Sequence, residues 1–120
     1  MKLSGIKREF RYTTKSFGCF IFSCNNNSIT YSAASSLWRD LSHVGLITFD
    51  AHHDLRDGYS NGSPVWQLIQ AGLPGKNIVQ IGIADFANSA EYSKRARDNG
   101  ITVISRADIR NGKISDAVAK

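Results

Sequence analysis

The segment Val44–Asp54 reads VGLITFDAHHD: an uncharged, largely apolar run of six residues, followed by two acids and two histidines within five positions. A continuous apolar run of strand length is what a parallel sheet buries between two layers of helices. Three other stretches have the same character: Phe17–Ser23 (FGCFIFS), Ile78–Ile83 (IVQIGI) and Ile101–Ile104 (ITVI). Helical signals alternate with them. Over Ser28–Ser42, Ala33, Leu37 and Leu41 recur at helical spacing with Ala34 and Trp38 beside them, and Ser28 is placed to cap the start. Pro64 opens a second helix through Val65–Ala71 to Gly72, and Leu73-Pro74-Gly75 makes a turn. Ser89–Asp98 reads as a charged surface helix ended by Asn99-Gly100, and a last helical start at Ala107 breaks at Asn111-Gly112. This order predicts a parallel α/β sheet with right-handed crossovers and helices on both faces.

At 120 residues the chain has room for a single cored domain, and its 42% hydrophobic and 21% charged residues suit a globular protein. No apolar run approaches membrane-spanning length, and the basic start lacks the apolar core of a secretory signal. Cys19 and Cys24 are too few for a disulfide scaffold and read as small core residues, so the expected compartment is the cytoplasm. Trp38 and Trp66 likewise read as core residues. The net charge of +5 is uneven: Lys2, Lys7, Arg8, Arg11 and Lys15 face only Glu9 before Gly18, and the remainder is nearly balanced. Residues 1–16 are therefore expected to form a basic, poorly ordered segment ahead of a domain over 17–120. A nucleic-acid-binding module driven by that segment is a competing reading, but no aromatic-basic interleaving accompanies it.

In parallel α/β sheets, ligands bind beyond the carboxyl ends of the strands. The cluster after Phe49 stands at such an end. If the strand runs on to about residue 52, alternation puts Asp50, His52 and Asp54 on one side and His53 on the other. Two carboxylates and an imidazole form a mixed oxygen–nitrogen site suited to Mn, Zn, Fe or another divalent metal, which would offset their mutual repulsion. The plainer alternative is a solvated strand end whose acids cap the next turn.

VGLITFDAHHDLR resembles the first metal-binding motif, D-A-H-x-D, of the ureohydrolase superfamily (arginase, agmatinase, formimidoylglutamase). SITYSAASSLW is similar to the helix after that family's G-G-D-H-S segment, NGSPVWQLI to its H-G-x-P or S-G-T-P segment, and NIVQIGI and GITVIS to its next two strands. The resemblance implies part of an arginase-like three-layer α/β/α domain that hydrolyses linear amidines or guanidines with two Mn²⁺ ions. It implies Asp50 bridging both ions, His52 ligating one and Asp54 the other. Arg56, directly after the motif, and Asn61, where arginases and agmatinases carry histidine, are more like formimidoylglutamases. They are the expected substrate-binding residues, Arg56 as a bidentate partner for a carboxylate. Family members of full length are expected to assemble as homo-oligomers.

The chain also departs from the family pattern. Cys24-Asn25-Asn26-Asn27-Ser28 stands where G-G-D-H-S is expected, so Asn27, a weaker neutral ligand, replaces a histidine. The later carboxylate motif S-x-D-x-D-x-x-D-P is absent, and the family's first strand is not recognisable near the start. The expectation is an interior piece that by itself holds one ion or none, with an exposed sheet edge. A non-catalytic remnant acting by weak metal binding or association is the alternative to an enzyme.

Overall fold

The apolar run expected as the second strand is resolved into a buried face and a less covered one. The computed structural model describes residues 29–112 and the backbone of 18–22. Four strands, β1 (Gly18–Phe22), β2 (Val44–Phe49), β3 (Ile78–Ile83) and β4 (Thr102–Ser105), form one sheet in the order β1-β2-β3-β4. All three pairings are parallel, with Phe20 opposite Leu46, Leu46 opposite Ile78 and Ile81 opposite Ile104. The helices are α1 (Thr30–Leu37), α2 (Pro64–Gln70), α3 (Ala90–Asp98) and α4 (Arg106–Arg110), with a short 3₁₀ turn at Gly75–Asn77 before β3.

Side chains of adjacent parallel strands that pair in register share a face. Val44, Leu46 and Thr48 of β2 and Ile78 and Gln80 of β3 are buried on one face. Over them Ala34 of α1, Val65 and Leu68 of α2 and Ala96 of α3 join Leu41, Leu55, Leu73 and Ile101 in a single core. The three crossover helices thus share one layer, as right-handed connections between successive neighbouring strands require. On the opposite face Ile104 is buried outside that core, and α4 packs against β3 and β4. The rest of this face is less fully covered: Ile47, Val79 and Ile81 are half-buried, and Phe49 is 48% exposed.

The expected elements are present with shifted ends. β2 and β3 keep their expected bounds, and β4 lies one residue later. The first helix is shorter than its apolar spacing predicts. It ends at Leu37, and Trp38 is already extended at φ −133° and ψ 125°. Leu41 still enters the core, at 4% exposure, but from a turn, while Leu37 is 43% exposed. The reason is composition: Ser35 and Ser36 are weak helix formers, and the Ser36 hydroxyl donates back to the Ala33 carbonyl at 2.9 Å. Ile29 occupies the capping position without a side-chain cap. Residues 1–16, Cys24, Asn27 and the expected cap Ser28 lie outside the described residues.

Two positions at the sheet end depend on unusual backbone. β3 carries a bulge between Ile81 and Ile83, where Gly82 sits at φ 91°, a conformation that glycine adopts without a Cβ penalty. Asp54 is the one non-glycine residue at positive φ among the described residues, at 55°. Among the described residues, no helix is long and apolar enough to cross a membrane.

Candidate metal centre

β2 leaves the sheet at Phe49, and the chain bends at Ala51 and His52. An acidic residue just before a bend accepts from the backbone two residues on, forming an Asx turn. Asp50 does this: its Oδ1 accepts from the His52 amide at 2.9 Å and lies 3.3 Å from His52 Nδ1. The His52 side chain is 57% exposed, whereas His53 turns inward and is 3% exposed. Asp54 is 9% exposed, and its carbonyl accepts from the amide of Trp66 in the first turn of α2 at 3.1 Å. That amide is one of the donors that a helix start leaves unmatched. Leu55 then anchors the segment in the core.

The expected geometry is therefore corrected. The strand stops before alternation can reach residues 52 and 54, so a turn hydrogen bond, not the pleat, brings Asp50 and His52 together. An oxygen and a nitrogen so placed would suit a divalent cation such as Mn²⁺, but two donors alone fall short of the ligands such an ion takes. Among the described residues, no three His, Cys, Asp or Glu side chains gather as a metal cluster. Asn27, the fourth expected ligand, lies outside them.

Arg56 and Asn61 are exposed on the loop that joins β2 to α2. The two ends of this loop meet where the Arg56 amide donates to the Gly62 carbonyl at 3.0 Å. The Arg56 side chain runs across Gly62, where a Cβ would sit 2.8 Å from its Cδ. The buried Ser63 closes the loop, accepting from the Ser60 amide at 2.7 Å and from Gln67 Nε2 at 2.8 Å. From outside, Arg95 of α3 donates to the Leu55 carbonyl at 2.8 Å and to both oxygens of Asp57 at 2.8 and 3.1 Å. Its guanidinium lies 4.6 Å from the centre of the Trp66 ring. The hydrogen bond from Arg95 holds the Asp57 carboxyl below its ordinary pKa, and the same bond raises that of Arg95.

Sequence reasoning missed Gln80, Asn88 and Arg95. Gln80 had a signal: it is the one amide in the apolar strand IVQIGI, where a buried polar group requires partners. It donates to the His53 carbonyl at 2.8 Å, and its Oε1 lies 2.6 Å from His53 Nδ1. Asn88 and Arg95 had none, since both sit in segments that read as ordinary surface.

A parallel sheet built from successive crossovers, with an acid–histidine turn at the end of a central strand, defines an α/β protein whose polar cluster stands beyond the carboxyl ends of its strands. The family profile described as "Arginase family" matches residues 19–120, and the chain belongs to the arginase family. It is 38% identical over 105 residues to a formimidoylglutamase of Halalkalibacterium halodurans, covering 79% of this chain and 33% of that protein. It is 32% identical over 83 residues to a formimidoylglutamase of Bacillus subtilis, covering 65% of this chain and 26% of that one. The chain thus spans about a third or less of the length of these curated relatives. Among solved structures, formimidoylglutamase from Bacillus subtilis superposes with a TM-score of 0.69 at 29% identity, over 82% of this chain and 31% of that chain. Trypanosoma cruzi formiminoglutamase, solved with Mn²⁺, gives 0.68 at 23% identity over 86% and 36%, a likeness of fold.

Proposed function

We propose that this chain carries the first metal-binding motif of a manganese-dependent hydrolase of linear amidines, of the formimidoylglutamase kind, with agmatinase-like specificity as the runner-up. The observation that carries this reading is the Asp50–His52 pair, held at 3.3 Å beyond the end of a central strand. Its support is the identity to formimidoylglutamases and the Mn²⁺ in the Trypanosoma cruzi neighbour.

In this proposal Asp50, His52, Asp54 and Asn27 would be the residues that hold the manganese. Manganese, when bound, supplies Lewis acidity for hydrolysis of the C–N bond. Arg56, exposed and steadied against Gly62, pairs with a substrate carboxylate, and Asn61 lines the same loop. Water is consumed and an amine leaves. Cytoplasmic residence and assembly into homo-oligomers belong to the same proposal. A second reading, a non-catalytic remnant with weak metal binding, is favoured by one observation: no third ligating side chain joins the pair among the described residues.

Calorimetric titration of the folded chain with Mn²⁺, repeated on Asp50→Ala, tests the site. Saturable binding lost in the variant is the expected result, and a stoichiometry near one ion per chain fits the residues brought together. Turnover of a formimino amino acid in preference to agmatine then supports the enzyme. Binding without turnover of either supports the remnant. A folded chain that binds no Mn²⁺ overturns the metal site.

A further inference from the structure

Beyond Phe49 the backbone of residues 50–54 leaves the sheet ladder, yet several of its polar groups are matched by β3 and the loop after it. Asp50 N–H donates to the Ile81 carbonyl at 3.1 Å, and Ala84 N–H donates to the Ala51 carbonyl at 3.0 Å. Asn88 works in both directions: its Nδ2 donates to the Ala51 carbonyl at 2.8 Å and the Ala84 carbonyl at 3.0 Å, and its Oδ1 accepts from the His53 amide at 2.9 Å. Gln80, fully buried, pairs reciprocally with His53. A backbone carbonyl can only accept, so the amide nitrogen of Gln80 faces the His53 carbonyl and its oxygen faces Nδ1. His53 is thereby fixed at both its main chain and its ring.

We propose that Asn88 and Gln80 are positioning residues that hold the Asp50–Asp54 turn in the shape that brings Asp50 and His52 together. Each grips a residue beside the pair, Asn88 through the Ala51 carbonyl and the His53 amide, Gln80 through His53. Partners that orient metal ligands from behind commonly carry a large share of a site's affinity. The link to metal rests on the proposed function, but the geometric claim stands apart from it.

The test uses the full chain and compares wild type with Asn88→Ala, Asn88→Asp and Gln80→Leu by residue-resolved amide exchange and by Mn²⁺ titration. In Asn88→Ala the amides of His52 and His53 are expected to exchange at least about tenfold faster, with the amides of β2 and the far-ultraviolet circular dichroism unchanged. Mn²⁺ affinity should fall about 10- to 100-fold. Asn88→Asp keeps the acceptor for the His53 amide but loses both donors, so it should restore protection at His53 while binding Mn²⁺ more weakly than wild type. Should Gln80→Leu fail to fold, the two Asn88 variants decide. Unchanged exchange at His52 and His53 in folded Asn88→Ala overturns the proposal. So does a Mn²⁺ affinity in folded Asn88→Ala equal to that of a wild type that binds the ion. A wild type without Mn²⁺ binding overturns the proposed function instead, and exchange alone then decides the positioning role.

Discussion

Arg95 ties the loop after β2 to two helices through one planar group. A guanidinium stacked on an indole and forked onto a carboxylate combines two interactions that lysine cannot reproduce together. Because the folded pKa of Asp57 is lowered, the stabilisation from this pair is fully present above the ordinary carboxylate value of about 3.9 and is lost as pH falls through the depressed value. Acid should therefore loosen Asp57 from Arg95, read as a change below about pH 4 in the fluorescence of Trp66, over which that guanidinium lies. Asp57→Asn should give the released signal already at neutral pH and abolish that acid step. Because Asp57 is largely exposed, the effect is on the loop and not on global unfolding. Arg95 shows why part of the site was illegible: in a helix reading AEYSKRARD nothing distinguishes it from Lys94 or Arg97. Asp50 and His52 were legible because histidine and acid at the end of an apolar run are unusual. The relation of Asp54 to them was not, because a left-handed backbone at a non-glycine residue leaves no mark in the sequence.

Among the elements, the turn at Gly75–Asn77 is the tightest joint. It lies against the end of α3, where a Cβ on Gly75 would sit 2.0 Å from the Asn99 carbonyl oxygen. Backbone on both sides leaves no flexible side chain to yield. Gly75→Ala should therefore destabilise the fold by about 1–3 kcal/mol, the usual cost of overpacking, measured by urea denaturation. The same turn is linked to β2 by Asn77 Nδ2, which donates to the Val44 carbonyl at 3.1 Å. Element bounds were most legible where tertiary packing and local preference agree, as in β2 and β3. α1 was misjudged because Leu41 satisfies the helical spacing while arriving from a turn, in which the Ser42 amide donates to Asp40 Oδ1 at 2.9 Å.

Across the whole molecule, the sheet divides apolar residues of one strand between two environments. Leu46 lies beneath three helices, and Phe49, three positions on, faces outward on the less covered side. Leu46→Ala should cost about 2–5 kcal/mol by leaving a cavity, whereas Phe49→Ala should cost less than about 1 kcal/mol. Paired denaturation curves check this contrast, and equal costs would mean that the outer face is covered in solution. Fold class was legible because alternation of strand and helix leaves few topologies. Which face is the less covered was not, since both sets of alternating positions in β2 and β3 carry apolar residues.

The sequential strand order has a kinetic consequence. Each strand pairs with the one just before it, so every new pairing closes a single crossover, and the entropy of closure rises only slowly with loop length. Parallel sheets usually fold slowly because distant segments must meet first. Here the sheet can grow in the order of synthesis, each finished strand offering its free edge as a template for the next as it leaves the ribosome.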